Sequence, residues 1–365
     1  MKLTCKRENL LKGLVIVSKI VKARATLPVL SNIMLMSDKG RLKLAATDLE
    51  SAIVTWVGAK IDEEGSVTIP AKTIVDYISN ATDDNLELFG EGSDLSIKGK
   101  RHNAEIKGIS SEEFPIISQI DSGMSIKMPT KDLKEAIFTT GIASAFDETR
   151  PVLAGILFKV EKEKMIMVAT DSYRLAERTI KPTSISGAGE FIIPQRTAMD
   201  VARLLPHSDD EIEIISGENQ VVFKFAEIEF TSRQIEGAFP DYEQIIPKQF
   251  VFESEIEKSQ LLDAIKTVNV FARESGSNIK VDLSDGAIDI SAIASQLGKS
   301  QTKVTADTSG QGLSIAFNAK FILDILNVLE AERISFNFSG PLNPGLITVA
   351  GDDSFKYVVM PLRNE

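Results

Sequence analysis

The sequence predicts an α+β protein made of three tandem repeats, each a sheet carrying two helices. Three observations predict it. Thr47-Asp48-Leu49-Glu50 and Ala169-Thr170-Asp171-Ser172-Tyr173-Arg174-Leu175-Ala176 each follow an apolar run, with the Thr-Asp pairs 123 residues apart. Phe114-Pro115 and Phe239-Pro240 recur 125 residues apart. Lys72, Arg196 and Lys320 fall at intervals of 124, and so do Asp76, Asp200 and Asp324. A fixed period of this kind marks repeated structural units. The boundaries read as 1–121, 122–247 and 248–365.

The first repeat opens on an alternating stretch over residues 1–5. An apolar stripe of Leu10, Leu11, Leu14, Val15 and Val17 then reads as a helix. Residues 32–36 and 41–45 flank the turn Ser37-Asp38-Lys39-Gly40 and read as a hairpin. A strand over 65–70 ends at Pro70, and a second helix presents Ile74, Val75, Tyr77 and Ile78. Strands over 86–89 and 95–98 follow. The second repeat restarts at 124–128. Its first helix carries Leu133, Ala136 and Ile137, strands run over 155–160 and 165–169, and its second helix carries Met199, Val201, Ala202, Leu204 and Leu205. The third repeat starts with a strand at 250–253. Its helices carry Leu261, Leu262, Ile265 and Val268, then Phe321, Ile322, Ile325, Leu326 and Leu329, and the last strand covers 356–360. No Thr-Asp pair occurs here; its place falls near Ala292-Ile293-Ala294.

Composition narrows the function classes. The chain has 365 residues, one cysteine (Cys5), two histidines and a net charge of −11. A single cysteine excludes an intrachain disulfide and fits a reducing compartment, so a cytoplasmic location is expected. No apolar run reaches the roughly 20 residues needed to span a bilayer, so no membrane association is expected. His102 and His207 read as surface residues, and with Cys5 they cannot form a zinc cluster of the usual kind. There is no phosphate-binding glycine loop. No catalytic residue, metal or cofactor is expected.

The acidic balance argues against a nucleic-acid partner, but binding depends on where each sign sits. Lys72, Arg196 and Lys320 each open the second helix of a repeat, with an aspartate four residues on. The pairs are either ion pairs on a solvated face or three equivalent helices offering cations to one extended anion. A basic helical lining would hold duplex DNA by its backbone, without reading sequence. Repeats packed in series have complementary ends, whose association closes a ring or runs on as a filament.

At these residues the sequence resembles the bacterial β sliding clamp, the processivity subunit of the replicative polymerase. The motifs are Thr26-Leu27-Pro28-Val29-Leu30, the two Thr-Asp turns, Phe239-Pro240-Asp241-Tyr242 and Tyr357-Val358-Val359-Met360-Pro361-Leu362-Arg363. The resemblance implies three clamp domains, helices inside and sheets outside. It also implies a head-to-tail homodimer closed around double-stranded DNA, a clamp loader, and partners such as the polymerase α subunit that carry a clamp-binding peptide. It implies a peptide pocket between the second and third domains, lined by Leu153, Thr170, Ser172, Tyr173, Arg174, Leu175, Pro240, Ile245, Val358, Met360, Pro361, Leu362 and Arg363. Arg24 matches a DNA contact of the family; Lys72, Arg150 and Arg196 are further candidates. Ile106, Val270 and Phe271 match apolar dimer contacts that a free chain would expose. Well-known members have Gly-His at Ser172-Tyr173 and paired tyrosines at Pro151-Val152, and Asn364-Glu365 extend past their usual ending.

Two other classes compete. A magnesium nuclease would use Asp48, Glu50 and Asp171, but the third repeat lacks the pair and no general base is evident. A scaffold would bind peptides but not DNA.

Overall fold

A computed structural model describes residues 1–22, 26–118, 120, 122–147 and 149–362. Among the described residues six helices fall in three pairs. The first of each pair is α1 (Arg7–Ser18), α3 (Thr130–Gly141) and α5 (Lys258–Ala272). The second is α2 (Ala71–Asn80), α4 (Gln195–Leu204) and α6 (Ala319–Val328). Each second helix starts directly after a strand. Pro70 and Pro194 end two of those strands, and Asn318 ends the third. Asn318 replaces the proline with a side-chain cap, its Oδ1 accepting the Lys320 amide at 2.9 Å.

Among the described residues the strands form four antiparallel sheets. One, of nine strands, runs from Ser184–Ser186 at one edge to Ser66–Pro70 at the other. In its middle Ile228–Arg233 pairs with Ser51–Val57, joining five strands of the second repeat to four of the first. A second nine-stranded sheet has the same plan: Arg174–Ile180 pairs with Asp352–Val359, joining four strands of the second repeat to five of the third. What remains is a five-stranded sheet of the first repeat, edged by Asn103–Ile106, and a four-stranded sheet of the third, edged by Gly298–Thr305.

The chain divides into two compact units. One comprises residues 1–131, 183–187 and 203–234; the other comprises 132–182, 188–202 and 235–365. In the first, Val29, Leu30, Ala45, Val54 and Phe114 form one core cluster, and α1 buries Leu10, Leu14 and Val17. Gly13 lets α1 approach the sheet, because a Cβ there would meet Leu44 Cδ1 at 2.7 Å and Val57 Cγ2 at 2.8 Å. In the second, Leu157, Ile166, Val168, Leu175, Ile192, Tyr242, Leu346 and Val358 form a core against which Phe239, Ile245 and Phe250 pack.

Several expectations are corrected. Val15 of the expected stripe is exposed, because Gly13 takes the buried position between Leu10 and Leu14. The strands Ser51–Val57, Arg174–Ile180 and Ile228–Arg233 were not anticipated; they are buried on both faces or carry charge, and show no alternation. The strand expected at 250–253 runs over Phe252–Glu257. His102 is not a plain surface residue: its Nδ1 lies 2.6 Å from Asp83 Oδ2, and the Lys100 and Arg101 amides bind Asp83 Oδ1. The cysteine Cys5 is buried, and burial pushes its thiol up to about 12.

Candidate functional site

The two Thr-Asp turns are the same structure built twice. Thr170 Oγ1 donates to the Arg174 carbonyl at 2.7 Å and accepts the Ser172 amide at 3.1 Å. Thr47 Oγ1 donates to the Ser51 carbonyl at 2.8 Å and accepts the Leu49 amide at 3.1 Å. Asp171 Oδ1 accepts the Tyr173 and Arg174 amides, as Asp48 Oδ1 accepts those of Glu50 and Ser51. Ser172 and Leu49, third in each turn, hold left-handed φ values of 79° and 75°. Both are off the favoured backbone for a residue with Cβ, and the hydroxyl and carboxylate bonds hold them there. The third repeat turns one residue sooner: Thr47 pairs with Ala52 and Thr170 with Leu175, but Ala294 pairs with Gly298.

The copies differ in their fifth residue. Ser51 is small, whereas Arg174 extends away from its turn into the protein. Its Nε meets Asp171 Oδ2 at 3.0 Å, its Nη1 meets Asp324 Oδ2 on α6 at 2.6 Å, and its guanidinium lies 4.6 Å from the Phe321 ring centre. The Tyr357 hydroxyl lies 3.5 Å from Nη1 and donates to the Phe321 carbonyl at 2.7 Å. Burial works against the charge, but Tyr357, Asp324 and Asp171 outweigh it and raise the group further, so Arg174 stays cationic. In the first copy Asp48 Oδ2 is taken instead by Lys22 Nζ at 2.8 Å. Burial disfavours that carboxylate, yet Lys22 and Ser51 hold it below the usual range.

Both Thr-Asp carboxylates are thus committed to amides and a cation, which leaves neither as a general base or metal ligand. Among the described residues no group of three or more His, Cys, Asp or Glu side chains could hold a metal.

The expected pocket residues of the second unit divide by burial. Leu175 and Val358 face one another across paired strands in the core, each 1% exposed. Thr170, Arg174 and Leu153 are also buried. The surface is offered by Ser172, Tyr173 and Pro240, with Ile245, Met360, Pro361 and Leu362 half-buried. Tyr173 is 62% exposed. The final segment is fixed at two points: the Met360 amide donates to the Tyr173 carbonyl of the turn at 2.9 Å, and the Leu362 amide to the Ala316 carbonyl of the strand Ser314–Asn318 at 2.8 Å. Arg363 lies outside the described residues. Asp324, Phe321 and Tyr357, which anchor Arg174, were not anticipated; the recurrence of Asp324 with Asp76 and Asp200 was the available signal.

The candidate cations are exposed. Lys72, Arg196 and Lys320 each occupy the second position of their helix. Among the described residues no ion pair joins Lys72 to Asp76 or Lys320 to Asp324, and Asp324 is taken by Arg174. A cation in a first turn faces the positive end of the helix and costs it a few tenths of a kcal/mol, about 0.3 or more. Arg150 donates to Ser172 Oγ at 3.2 Å, so it belongs to the rim of the 170–174 turn. Arg24 lies outside the described residues. Of the apolar contacts, Val270 is 57% exposed and Phe271 half-buried, but Ile106 is only 7% exposed. The expectation that a free chain exposes Ile106 is therefore corrected.

Comparison with known proteins fits this architecture. The N-terminal, central and C-terminal domain models of the DNA polymerase III β subunit match residues 1–118, 127–241 and 243–363. The β sliding clamp of Synechococcus elongatus is 30% identical over all of this chain and 99% of its own, and that of Staphylococcus aureus 28% over the same shares. The crystal structure of the Bacillus subtilis sliding clamp superposes with a TM-score of 0.96 at 27% identity, covering both chains completely. A Pseudomonas aeruginosa clamp bound to griselimycin superposes at 0.95 with 30% identity, again over both chains. The fold is that of a three-domain clamp without a catalytic role. The chain belongs to the DNA polymerase III β-subunit family, the sliding clamps of DNA replication.

Proposed function

We propose that two copies of the chain close head-to-tail into a ring around duplex DNA and tether the replicative polymerase to it. One observation carries the closure. Each nine-stranded sheet is a five-strand part of one repeat completed by a four-strand part of its neighbour, and the chain is left with one part of each kind. In strand order the edge Asn103–Ile106 corresponds to Ile228–Arg233, and the edge Gly298–Thr305 to Ser51–Val57. Those two internal strands pair. Joining the free edges between two copies would build the same sheet twice more and leave neither edge open to aggregation.

In this reading each chain contributes three domains, residues 1–121, 122–247 and 248–365. Lys72, Arg196 and Lys320, with Arg24, offer cations to the DNA backbone, which suits sliding because phosphate contacts carry no sequence. Tyr173, Pro240, Ile245 and residues 360–363 receive an extended apolar peptide from the polymerase α subunit, the clamp loader and other partners. Tethering makes each rebinding to template intramolecular, at a high effective concentration. In this reading the protein acts in the cytoplasm, with the DNA that it encircles; no helix among the described residues is long and apolar enough to cross a membrane.

The test is topological. The protein is placed on nicked circular plasmid by its clamp loader and passed over a sizing column. It should co-elute with the circle and be released when the plasmid is linearised; co-elution that survives linearisation would exclude encirclement. Deleting residues 360–365 should abolish polymerase binding and leave the dimer intact.

A further inference from the structure

The geometry points to a second peptide-docking site on each chain, at the first-repeat copy of the turn. The inference rests on the partner-site reading of residues 170–175, since it extends that site through the repeat.

The equivalence goes beyond the turn itself. The Met360 amide donates to the Tyr173 carbonyl, and the Arg233 amide donates to the Glu50 carbonyl at 2.8 Å. Strand pairing sets Val358 opposite Leu175 and Thr231 opposite Ala52. Pro115 follows Phe114 as Pro240 follows Phe239. Thr47, Leu49, Glu50, Ala52, Thr231 and Arg233 therefore stand where Thr170, Ser172, Tyr173, Leu175, Val358 and Met360 stand in the other copy. These residues line one open cavity of about 90 Å³ with Pro115, Ile116 and Ile117. Ile116 is 94% and Leu49 48% exposed, so apolar side chains are presented at its mouth.

The substitutions between the copies define a different ligand. Ala52 and Thr231 make the floor smaller and more polar than Leu175 and Val358 do. Arg233 puts an exposed cation where Met360 is apolar. A second cavity, of about 130 Å³, shares Ile117, Ser118 and Thr231 with the first and adds Lys43 and Lys224. Lys224 is paired with Glu229 at 3.5 Å, and Lys43 Nζ lies 5.9 Å from the Trp56 ring centre. Along the two cavities the cations Arg233, Lys43 and Lys224 outnumber the carboxylates of Glu50 and Glu229. The occupant that fits is an extended peptide with one aliphatic anchor over Ile116 and Leu49 and acidic side chains toward Arg233 and Lys43.

The test uses the full-length dimer and the peptide acetyl-Leu-Asp-Leu-Asp-Leu-Asp-amide, titrated by calorimetry, with its Leu-Lys counterpart as control. The protein lacking residues 360–365 should still bind the acidic peptide at one site per chain. Arg233→Glu and Ile116→Ser, both at exposed positions, should each weaken that binding about tenfold, and Arg233→Lys should retain it. Circular dichroism melts establish that each variant is folded. The inference is overturned if the full-length protein takes no acidic peptide, if the tail-deleted protein takes none while the full-length protein does, or if Arg233→Glu and Ile116→Ser leave its binding unchanged. If Arg233→Glu removes acidic-peptide binding but the tail-deleted protein still binds the polymerase, the inference stands and the 170–175 site is the one that fails.

Discussion

Arg174 Nη1 lies 2.6 Å from Asp324 Oδ2, across 150 residues of sequence. The arginine belongs to the turn of the second repeat and the aspartate to the last helix of the third. This pair, with Asp171 and the Phe321 ring, fixes the exposed Tyr173 beside the half-buried Met360. A surface turn is thereby held by a buried charge, and the surface it offers depends on packing beneath it.

Removing that charge strands two carboxylates. Arg174→Leu should loosen the turn by about 3 kcal/mol, the usual cost of breaking a buried pair from one side. Asp324→Asn keeps a hydrogen-bond acceptor and should cost about 1 kcal/mol. Hydrogen exchange at the Tyr173 and Arg174 amides, which donate to Asp171, reads the effect locally. Arg174→Leu should speed it about a hundredfold. Unchanged exchange would mean the backbone holds the turn without the arginine.

Much of this arrangement was legible in the sequence, and the part that was not has a physical reason. Helices and local hairpins announce themselves through periodicity and turn residues, so α1 to α6 were found where the stripes of Leu10, Ile74, Leu133, Val201, Ile265 and Ile322 put them. The pairing of Ser51–Val57 with Ile228–Arg233 joins segments far apart in the chain, and such pairing leaves no local pattern. Arg174 reads as pocket lining, and its burial against Asp324 and Tyr357 is invisible in the sequence because those partners lie 150 or more residues away. The equal spacing of Asp76, Asp200 and Asp324 was visible, but it did not point to Arg174 as the partner of Asp324. His102 reads as a surface residue because its partner Asp83 lies outside its local pattern.

Asp83 makes the first unit acid-sensitive. The His102 ring first, then the Arg101 and Lys100 amides, hold its carboxyl below the usual range against the effect of burial. A folded value below the unfolded one adds stability that is complete above the unfolded value, about 3.9, and fades as pH falls through the folded value. Asp83→Asn should therefore lower the unfolding midpoint at neutral pH and flatten its acid limb. The only tryptophan, Trp56, lies in the same unit and reports the transition by fluorescence. Equal acid limbs for wild type and variant would remove Asp83 from the account.

Gly108 is a point of close backbone approach. A Cβ there would overlap the carbonyl oxygens of Thr68 and Ser93, which belong to backbone and cannot swing aside. Gly108→Ala should destabilise the unit by about 3 kcal/mol or more through strain. Gly58 has nothing within 4 Å of the same atom, so Gly58→Ala should stay within about 0.5 kcal/mol. Urea melts followed at Trp56 compare the two. Similar losses at both sites would show that Gly108 matters for its flexibility and not for the space it leaves.

The proposed dimer can be probed without harming the fold, because its apolar residues differ in exposure. Val270 is 57% exposed in the single chain, so aspartate there costs the isolated fold little. In a dimer the same carboxylate would be buried without a partner, which costs about 2–3 kcal/mol. Val270→Asp should accordingly raise the dimer dissociation constant by roughly a hundredfold with an unchanged melting curve. Ile106, at 7% exposed, is already buried in the single chain, and Ile106→Asp should lower the melting temperature as well as the dimer affinity. Sedimentation equilibrium gives the masses and circular dichroism the melts. If Val270→Asp stays dimeric at every concentration, the free sheet edges join through a surface that excludes α5, and the head-to-tail contact has to be redrawn around Asn103–Ile106 and Gly298–Thr305 alone.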